Sequence, residues 1–137
     1  MHMKQQLGFT LIELMIVLVV LAVLTAIAYP SYTNQVLKSR RADGIAALNR
    51  AAMQMEACRS DNASYATCDN AIHNTTSDDG FYLITAPASA TATAYSFEAT
   101  PQGVQTSDVQ CTKLTLDSLG TRGHTGSAPS ADTCWGQ

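Results

Sequence analysis

The sequence predicts an α+β protein in which a long, kinked N-terminal helix packs on a small antiparallel β-sheet. Three observations support this fold class. An uninterrupted apolar stretch lies near the start of the chain, and apolar residues at three- and four-residue steps follow it, as in an amphipathic helix. The second half contains short β-rich segments separated by turn residues. With 137 residues and a net charge of −3, the chain has the size of one ordinary domain.

The apolar stretch, Phe9 to Tyr29, is long enough to cross a bilayer. Its 21 residues form a helix of about 31 Å, which matches the hydrocarbon core of a membrane. The only residues in it that are not apolar are Thr10, Glu13 and Thr25. Insertion of the Phe, Leu, Ile and Val side chains outweighs the cost of one carboxylate near the end of the span. We therefore expect this stretch to insert into a membrane.

A cleaved secretory signal peptide is the alternative interpretation of the same stretch. Lys4 supplies a basic n-region, and Ala26-Ile27-Ala28 fits a cleavage site of the A-x-A type. Two features count against it. The apolar run is longer than the usual h-region of about 7–15 residues. An acidic residue in the first turn, Glu13, also serves no purpose in a segment that is discarded.

The segment from Gly8 to Glu13, GFTLIE, resembles the N-terminal signature of type IV prepilins. In that family a short leader ends in Gly, and the mature chain starts with Phe and carries Glu at its fifth position. The resemblance continues through LMIV to Pro30-Ser31-Tyr32. It implies that a prepilin peptidase cuts between Gly8 and Phe9 and that Phe9 is then N-methylated.

The resemblance also implies a domain organisation and a location. Residues 1–8 would be the leader, residues 9–29 the transmembrane helix that later forms the filament core, and residues 30–137 the head. The precursor would cross the inner membrane once, with the head in the periplasm, before assembly into an extracellular pilus. The implied partners are other pilin subunits in a homo- or heteropolymer, the peptidase/methyltransferase, the inner membrane and the pilus assembly machinery.

Glu13 is predicted to take part in assembly. Cleavage after Gly8 creates an α-ammonium group on Phe9, one helical turn from the Glu13 carboxylate. A carboxylate at membrane depth is tolerated when it meets an opposite charge. Because fixing register is the best-attested use of a buried ion pair, we expect Glu13 to set the axial register between subunits.

Beyond the span, the helix is predicted to kink at Pro30 and to continue to about Arg59. The predicted packing stripe of this second half consists of Ile45, Leu48, Ala52 and Met55. Gly44 weakens the helix by about 1 kcal/mol relative to alanine.

Three strands are predicted after the helix: Phe81 to Ile84, Tyr95 to Ala99, and Val109 to Leu116. Pro87 and the segment 101–103 separate them, so the arrangement predicted is an antiparallel meander across the helix. From residue 120 to residue 131 the sequence shows no periodicity, and we predict an irregular tail.

The four cysteines allow three disulfide connectivities. We favour the local pairs Cys58–Cys68 and Cys111–Cys134, because each closes a loop without its own hydrophobic anchor. Disulfides place the head in an oxidising compartment. A zinc site is the weaker alternative, since no spacing gives a C-x₂₋₄-C knuckle.

In the order of its elements and in its Cys134-Trp135 ending, the chain resembles small Gram-negative type IVa pilins, including minor pilins.

No enzyme, cofactor or metal site is predicted. His2, His73 and His124 are isolated, and no nucleophile-elbow or phosphate-loop motif is present. The pair Asp78-Asp79 fits either a calcium ligand set or, preferably, a solvated turn. We expect a modest basic patch on the helix to meet acidic residues of neighbouring subunits; its residues are Lys38, Arg40, Arg41 and Arg50.

The function predicted is that of a structural subunit of a type IV pilus, which serves twitching motility, adhesion or DNA uptake. Two alternatives stay open. One is a DNA-binding minor competence pilin, although the acidic head offers few cations for phosphates, chiefly Arg59, Lys113 and Arg122. The other is a pseudopilin of a type II secretion system.

Overall fold

The computed structural model describes residues 8–68, 74–86 and 88–136. The predicted leader, apart from Gly8, lies outside the described residues, as do Lys4, His2, His73 and Pro87. The elements are α1 (Leu11–Asn62), β1 (Thr75–Thr76), β2 (Tyr82–Thr85), β3 (Ser96–Pro101), a 3₁₀ helix η1 (Gly103–Ser107), β4 (Lys113–Asp117), β5 (Arg122–Thr125) and α2 (Ala131–Trp135). The chain forms two compact units, Met1–Gln35 and Val36–Gln137, and each is described by itself.

In the first unit, α1 begins two residues later than predicted. The Thr10 hydroxyl accepts a hydrogen bond from the Glu13 N–H (3.2 Å), which is the geometry of a helix N-cap. Pro30 lies inside the helix, which continues through it. Within the described part of the chain, α1 is the one helix that is long and apolar enough to cross a membrane. Its apolar side chains between residues 9 and 29 are exposed, as expected of a surface that faces lipid or neighbouring subunits.

In the second unit, the five strands form one antiparallel sheet in the order β1-β2-β3-β4-β5. The predicted meander is confirmed. Its register pairs Ile84 with Ala99, Phe97 with Leu116 and Leu114 with His124. Burial alternates along β2, β3 and β4, which shows that one face of the sheet is packed and the other is wetter.

The packed face of the sheet and one face of α1 form the core. The buried helix positions are Arg41, Gly44, Ala47, Leu48, Ala51 and Met55. The predicted packing stripe is therefore confirmed at Leu48 and Met55, which are buried. Ile45 and Ala52 are only half-buried and lie at the edge of the contact with the sheet. The centre of the contact uses small residues, because they allow the backbone of α1 to come close to the sheet.

Gly44 shows how close this approach is. A Cβ atom at position 44 would lie 2.8 Å from two ring atoms of Tyr82. The Tyr82 side chain is fully buried and fills the space that a larger helix residue would need. The helix-weakening glycine of the sequence is thus required by packing.

Tyr82 also gives the head a pH-dependent stability. Burial raises the pKa of Tyr82 to about 12, against 10.0 for a free tyrosine. Above pH 10 the unfolded chain releases this proton while the folded chain retains it, so stability falls as pH rises from 10 to about 12. Two pKa units correspond to about 2–3 kcal/mol.

We expect the stability advantage of the wild-type chain over Tyr82→Phe to shrink by about 2–3 kcal/mol across that pH window. Denaturant unfolding of both chains between pH 9 and pH 12 measures the difference. Burial also raises the pKa of Tyr95. Tyr95→Phe is therefore measured as a control, so that the contribution of each tyrosine to the pH dependence can be told apart. If the difference in unfolding free energy between wild type and Tyr82→Phe does not change with pH, the raised pKa of Tyr82 is not the cause.

Candidate functional site

The N-terminal motif places Gly8 and Phe9 immediately before α1 and Glu13 in its first turn. The Phe9 side chain is 88% exposed. Glu13 is exposed as well, so its carboxylate is accessible to a positive group from another molecule. The roles predicted for these residues remain predictions, as does the kink at Pro30.

The structure confirms both favoured disulfides, Cys58–Cys68 and Cys111–Cys134, with Cα–Cα distances of 5.9 and 5.7 Å. The first bond ties the end of α1 to the segment that carries Tyr65. The second ties the start of the β4 segment to α2. Because each of the four cysteines belongs to one of these two disulfides, no thiolate is left to bind zinc, and the zinc alternative is wrong.

Arg41 is the most buried cation of the described head. Its guanidinium binds both carboxylate oxygens of Asp108, at 2.6 and 2.8 Å, and the two side chains are 5% and 2% exposed. Arg41 also donates to the carbonyl of Thr133 (3.3 Å), next to Cys134. Asp108 accepts from the Cys111 N–H (3.3 Å). The ion pair therefore connects α1 to both half-cystines of the second disulfide.

Two further cations are neutralised within the head. Arg50 forms a bidentate contact with Asp78 (2.5 and 2.7 Å), and Lys113 contacts Glu98 at 2.5 Å. The hydrogen bonds from Arg50 lower the pKa of the Asp78 carboxyl. The expectation that Arg41 and Arg50 meet neighbouring subunits is thus wrong, since their partners lie in the same chain. The guanidinium on Asp78 also favours the solvated-turn interpretation of that segment over a calcium site.

Three other arginines lie on aromatic rings instead. Arg40 lies 4.7 Å from the centroid of Phe81, and Arg59 lies 4.6 Å from that of Tyr65. Arg122 lies 5.2 Å from the centroid of Trp135. We call these the stacked arginines. In residues 8–68, 74–86 and 88–136, none of the three forms an ion pair with a carboxylate.

The rings hold the stacked arginines in defined positions. Phe81 stands before β2 and is half-buried. Tyr65 is held inside the Cys58–Cys68 loop by its hydroxyl, which accepts from Arg59 (2.9 Å) and donates to Glu56 (2.7 Å). The Trp135 indole N–H donates to the carbonyl of Gly123 (2.9 Å), which fixes α2 against β5. A guanidinium on a ring can present N–H groups to an anion, although Arg59 already donates one of its N–H groups to the Tyr65 hydroxyl.

Comparisons with known proteins identify the chain. The prokaryotic N-terminal methylation motif matches residues 3–29. The family described as "Type IV minor pilin ComP, DNA uptake sequence receptor" matches residues 30–115, well over half of the chain. The chain belongs to the ComP family of type IV minor pilins. Its N-terminal motif and apolar helix fit an inner-membrane precursor that becomes part of a surface pilus.

Similar proteins support this membership. Escherichia coli "Prepilin peptidase-dependent protein D" is 37% identical over 67 residues, which are 49% of this minor pilin and 46% of that protein. Dichelobacter nodosus "Type IV major fimbrial protein FimA" is 48% identical over 40 residues, 29% of this chain and 25% of that one. The chain thus matches less than half the length of these relatives.

A solved structure shows the fold. The crystal structure of the Neisseria meningitidis non-core minor pilin PilV superposes with a TM-score of 0.57 at 17% identity. The superposition covers 71% of this chain and 94% of PilV. The predicted fold class is therefore confirmed as that of structural pilins.

The sequence predicts Arg59, Lys113 and Arg122 as the main cations of the head, and the structure gives them different partners. Lys113 is neutralised by Glu98, whereas Arg59 and Arg122 are stacked. Arg40 was expected to face other subunits, and its ring partner, Phe81, was missed. Arg59 and Tyr65 are only six residues apart at the end of a helix, so their contact could have been predicted from the sequence. The contact between Arg122 and Trp135 could not, because nothing in the sequence spacing indicates it.

Proposed function

We propose that this minor pilin is carried into a type IV pilus by its N-terminal helix and captures DNA with its head. The observation that carries the proposal is the match of residues 30–115 to a family described as a DNA uptake sequence receptor. The stacked arginines support it, because they supply cations that the carboxylates of the described head do not neutralise.

Stacking makes these arginines suited to phosphate. A free arginine loses about 2 kcal/mol of rotamer freedom when it binds, and a ring that already holds the guanidinium reduces that loss. The planar fork can then bind a phosphate through two N–H groups. Lys38, which is exposed, adds a fourth cation of the head.

The small number of cations sets the expected strength of binding. Each neutralised phosphate contributes about −0.9 to the slope of log affinity against log salt. Four contacts give a slope of about −3.6, much shallower than that of strongly basic DNA-binding proteins. The net charge of −3 opposes binding at long range, so the stacked arginines must act at contact distance.

We expect the triple variant Arg40→Gln, Arg59→Gln, Arg122→Gln to bind duplex DNA at least ~10-fold more weakly at low salt. The salt slope should become shallower by about 2.7, one phosphate for each arginine. Fluorescence anisotropy of labelled DNA, titrated with the full chain in detergent at several salt concentrations, measures both quantities.

Arg50→Gln is the matched control for this experiment. It removes one positive charge from an exposed arginine that Asp78 already neutralises. Its affinity should differ from wild type by less than about threefold, which is a small fraction of the effect of the triple variant. Absence of binding by the wild-type chain at low salt, or an equal loss with Arg50→Gln, would reject DNA capture by these residues.

The delivery step of the proposal depends on the N-terminal motif. We propose cleavage between Gly8 and Phe9, N-methylation of Phe9, and pairing of the new amine with Glu13. The intact mass of the mature protein should match residues 9–137 plus one methyl group, and a start at Tyr29 would contradict it.

Glu13→Gln should leave cleavage and N-methylation unchanged but reduce incorporation into filaments at least ~10-fold, measured by immunoblotting of sheared pili.

A further inference from the structure

The short helix η1 carries apolar side chains on the surface of the head. Val104 lies inside η1 and is 62% exposed, and Val109, shortly after it, is 67% exposed. The sequence of η1 is GVQTS, which contains no charged residue. Exposed apolar side chains on an uncharged surface indicate a site that another molecule or a lipid surface covers. We call Val104 and Val109 the η1 valines.

Two contacts fix η1 beside the part of α1 with which the head begins. Gln105 of η1 is fully buried, and its side-chain N–H group donates to the carbonyl of Leu37 (3.2 Å). Asp108, which directly follows η1, accepts from the Arg41 guanidinium at 2.6 and 2.8 Å. Leu37 and Arg41 are one helical turn apart. Both contacts therefore hold η1 against the first turns of α1 in the unit Val36–Gln137.

The chain enters the head from the transmembrane stretch at the end of the head where η1 lies. Tyr29 ends that stretch and Tyr32 follows it, and both are exposed. Tyrosine is enriched at membrane–water interfaces. Leu37 follows Tyr32 by five residues, which span at most about 18 Å in any conformation. Chain connectivity alone therefore keeps the η1 end of the head close to the bilayer surface.

The charges at this end of the head favour an anionic surface. The sequence contains no charged residue from Leu14 to Leu37, and Lys38 is the first one after that gap. Lys38 is exposed, and no carboxylate contacts it within the described ranges. The first acidic residue after the gap, Asp43, already accepts from the Ser77 hydroxyl. One lysine near an anionic lipid surface favours contact by about fivefold.

We infer that the η1 end of the head rests on the membrane surface while the chain is an inner-membrane precursor. The η1 valines enter the boundary between lipid head groups and acyl chains, and Lys38 binds lipid phosphate. Buried apolar area and attraction to anionic lipids act together in this way in proteins that lie on a membrane. The inference goes beyond DNA capture and uses none of the stacked arginines.

The contact is weak enough to be reversible. Two valines and one lysine bury far less apolar area than an amphipathic helix that lies in a membrane interface. The head is held near the lipid mainly because the chain tethers it there. The contact is therefore lost when the subunit leaves the bilayer.

Leu119 is the matched control for the η1 valines. It is apolar and 89% exposed, as they are exposed, but it lies elsewhere on the head. It lines an open groove together with Met53 of α1. Met53 follows Leu37 by 16 residues, which is about 24 Å along the helix. A label at Leu119 therefore reports on a surface far from η1.

Fluorescence quenching by lipids tests the inference on the full chain. All four native cysteines are in disulfides, so the added cysteine of Val104→Cys, Val109→Cys or Leu119→Cys is the one free thiol for a fluorescent maleimide. The labelled chains are placed in phosphatidylcholine vesicles with about 30% phosphatidylglycerol, an anionic lipid, and with a lipid that carries a nitroxide near its head group. We expect the lipid to quench the labels at 104 and 109 at least ~5-fold more than the label at 119.

Variants of Lys38 test the charge. Lys38→Glu should lower lipid quenching at positions 104 and 109 at least ~3-fold, whereas Lys38→Arg should retain it. In vesicles of phosphatidylcholine alone, the difference between these two variants should disappear.

Three results would overturn the inference. The first is quenching at 104 and 109 no stronger than at 119, and the second is no effect of Lys38→Glu in the anionic vesicles. The third is protection of the η1 labels from aqueous iodide that grows with protein density without lipid quenching, since a second copy would then cover the surface. DNA binding is measured separately in detergent, so each of these results leaves the proposed function standing.

Discussion

Asp108→Asn lowers the free energy of unfolding of the head by about 3–5 kcal/mol. The change removes the negative charge but not the shape of the side chain, and it leaves the Arg41 guanidinium 5% exposed without its carboxylate. Breaking one partner of a buried pair is costly because the remaining charge stays desolvated. Urea unfolding of the full chain in detergent, followed by the fluorescence of Trp135, measures the loss.

Two other variants test this explanation. Glu98→Gln breaks the Lys113 contact, whose lysine side chain is 42% exposed, and should cost less than about 1 kcal/mol. The double variant Arg41→Met, Asp108→Leu removes both charges and should recover at least half of the loss. If Asp108→Asn costs no more than Glu98→Gln, the buried pair does not stabilise the head in the way described.

Replacing Cys111 and Cys134 with serine costs about 3–4 kcal/mol of stability. The bond closes a loop with a sequence separation of 23 residues, and that loop contains β4, β5 and most of α2. Without it, the unfolded chain gains conformational freedom. In the folded chain, Trp135 of α2 would be held mainly by its indole hydrogen bond to Gly123 and by packing.

The double serine variant of Cys58 and Cys68 is the matched comparison. Its loop has a sequence separation of 10, so the same entropy argument gives a smaller loss of about 3 kcal/mol. Thermal unfolding of both variants under non-reducing conditions measures the order. A greater loss for the shorter loop would show that native packing, not loop closure, dominates.

The long helix and the central strands could be predicted because their signals are local. Alternation in the segments that became β2, β3 and β4 marks one packed face, and each predicted strand overlaps an observed one. The third strand starts later than predicted, at Lys113, because Asp108 and its hydrogen bond to the Cys111 N–H hold that segment in a turn. The prediction of an irregular tail was wrong for β5 and the start of α2.

β5 was missed because its sequence lacks the usual strand residues. It is RGHT, with a glycine whose missing side chain leaves room for the Thr115 hydroxyl on the neighbouring strand. Its strand conformation comes from pairing with β4, which is a tertiary effect. η1 and the two-residue β1 were also missed, since elements this short give no periodic signal.

The charged residues of the head could be listed from the sequence, but which of them are buried in ion pairs and which lie on aromatic rings could not be predicted. Arg41 and Asp108 are 67 positions apart, and nothing local distinguishes Arg41 from Arg40. The fold puts one of these neighbours in the core and the other on an aromatic ring at the surface. Helical geometry explains the difference, because adjacent residues on a helix point about 100° apart.

The Cys111–Cys134 bond has a consequence for survival outside the cell. The segment between β5 and α2, from Gly126 to Ser130, is mostly exposed and lies inside the loop that this disulfide closes. A single cut there leaves both fragments covalently joined, because the bond spans the cut site. A nicked head would therefore keep its C-terminal portion attached, and the damage would become visible on a gel only after a reductant is added.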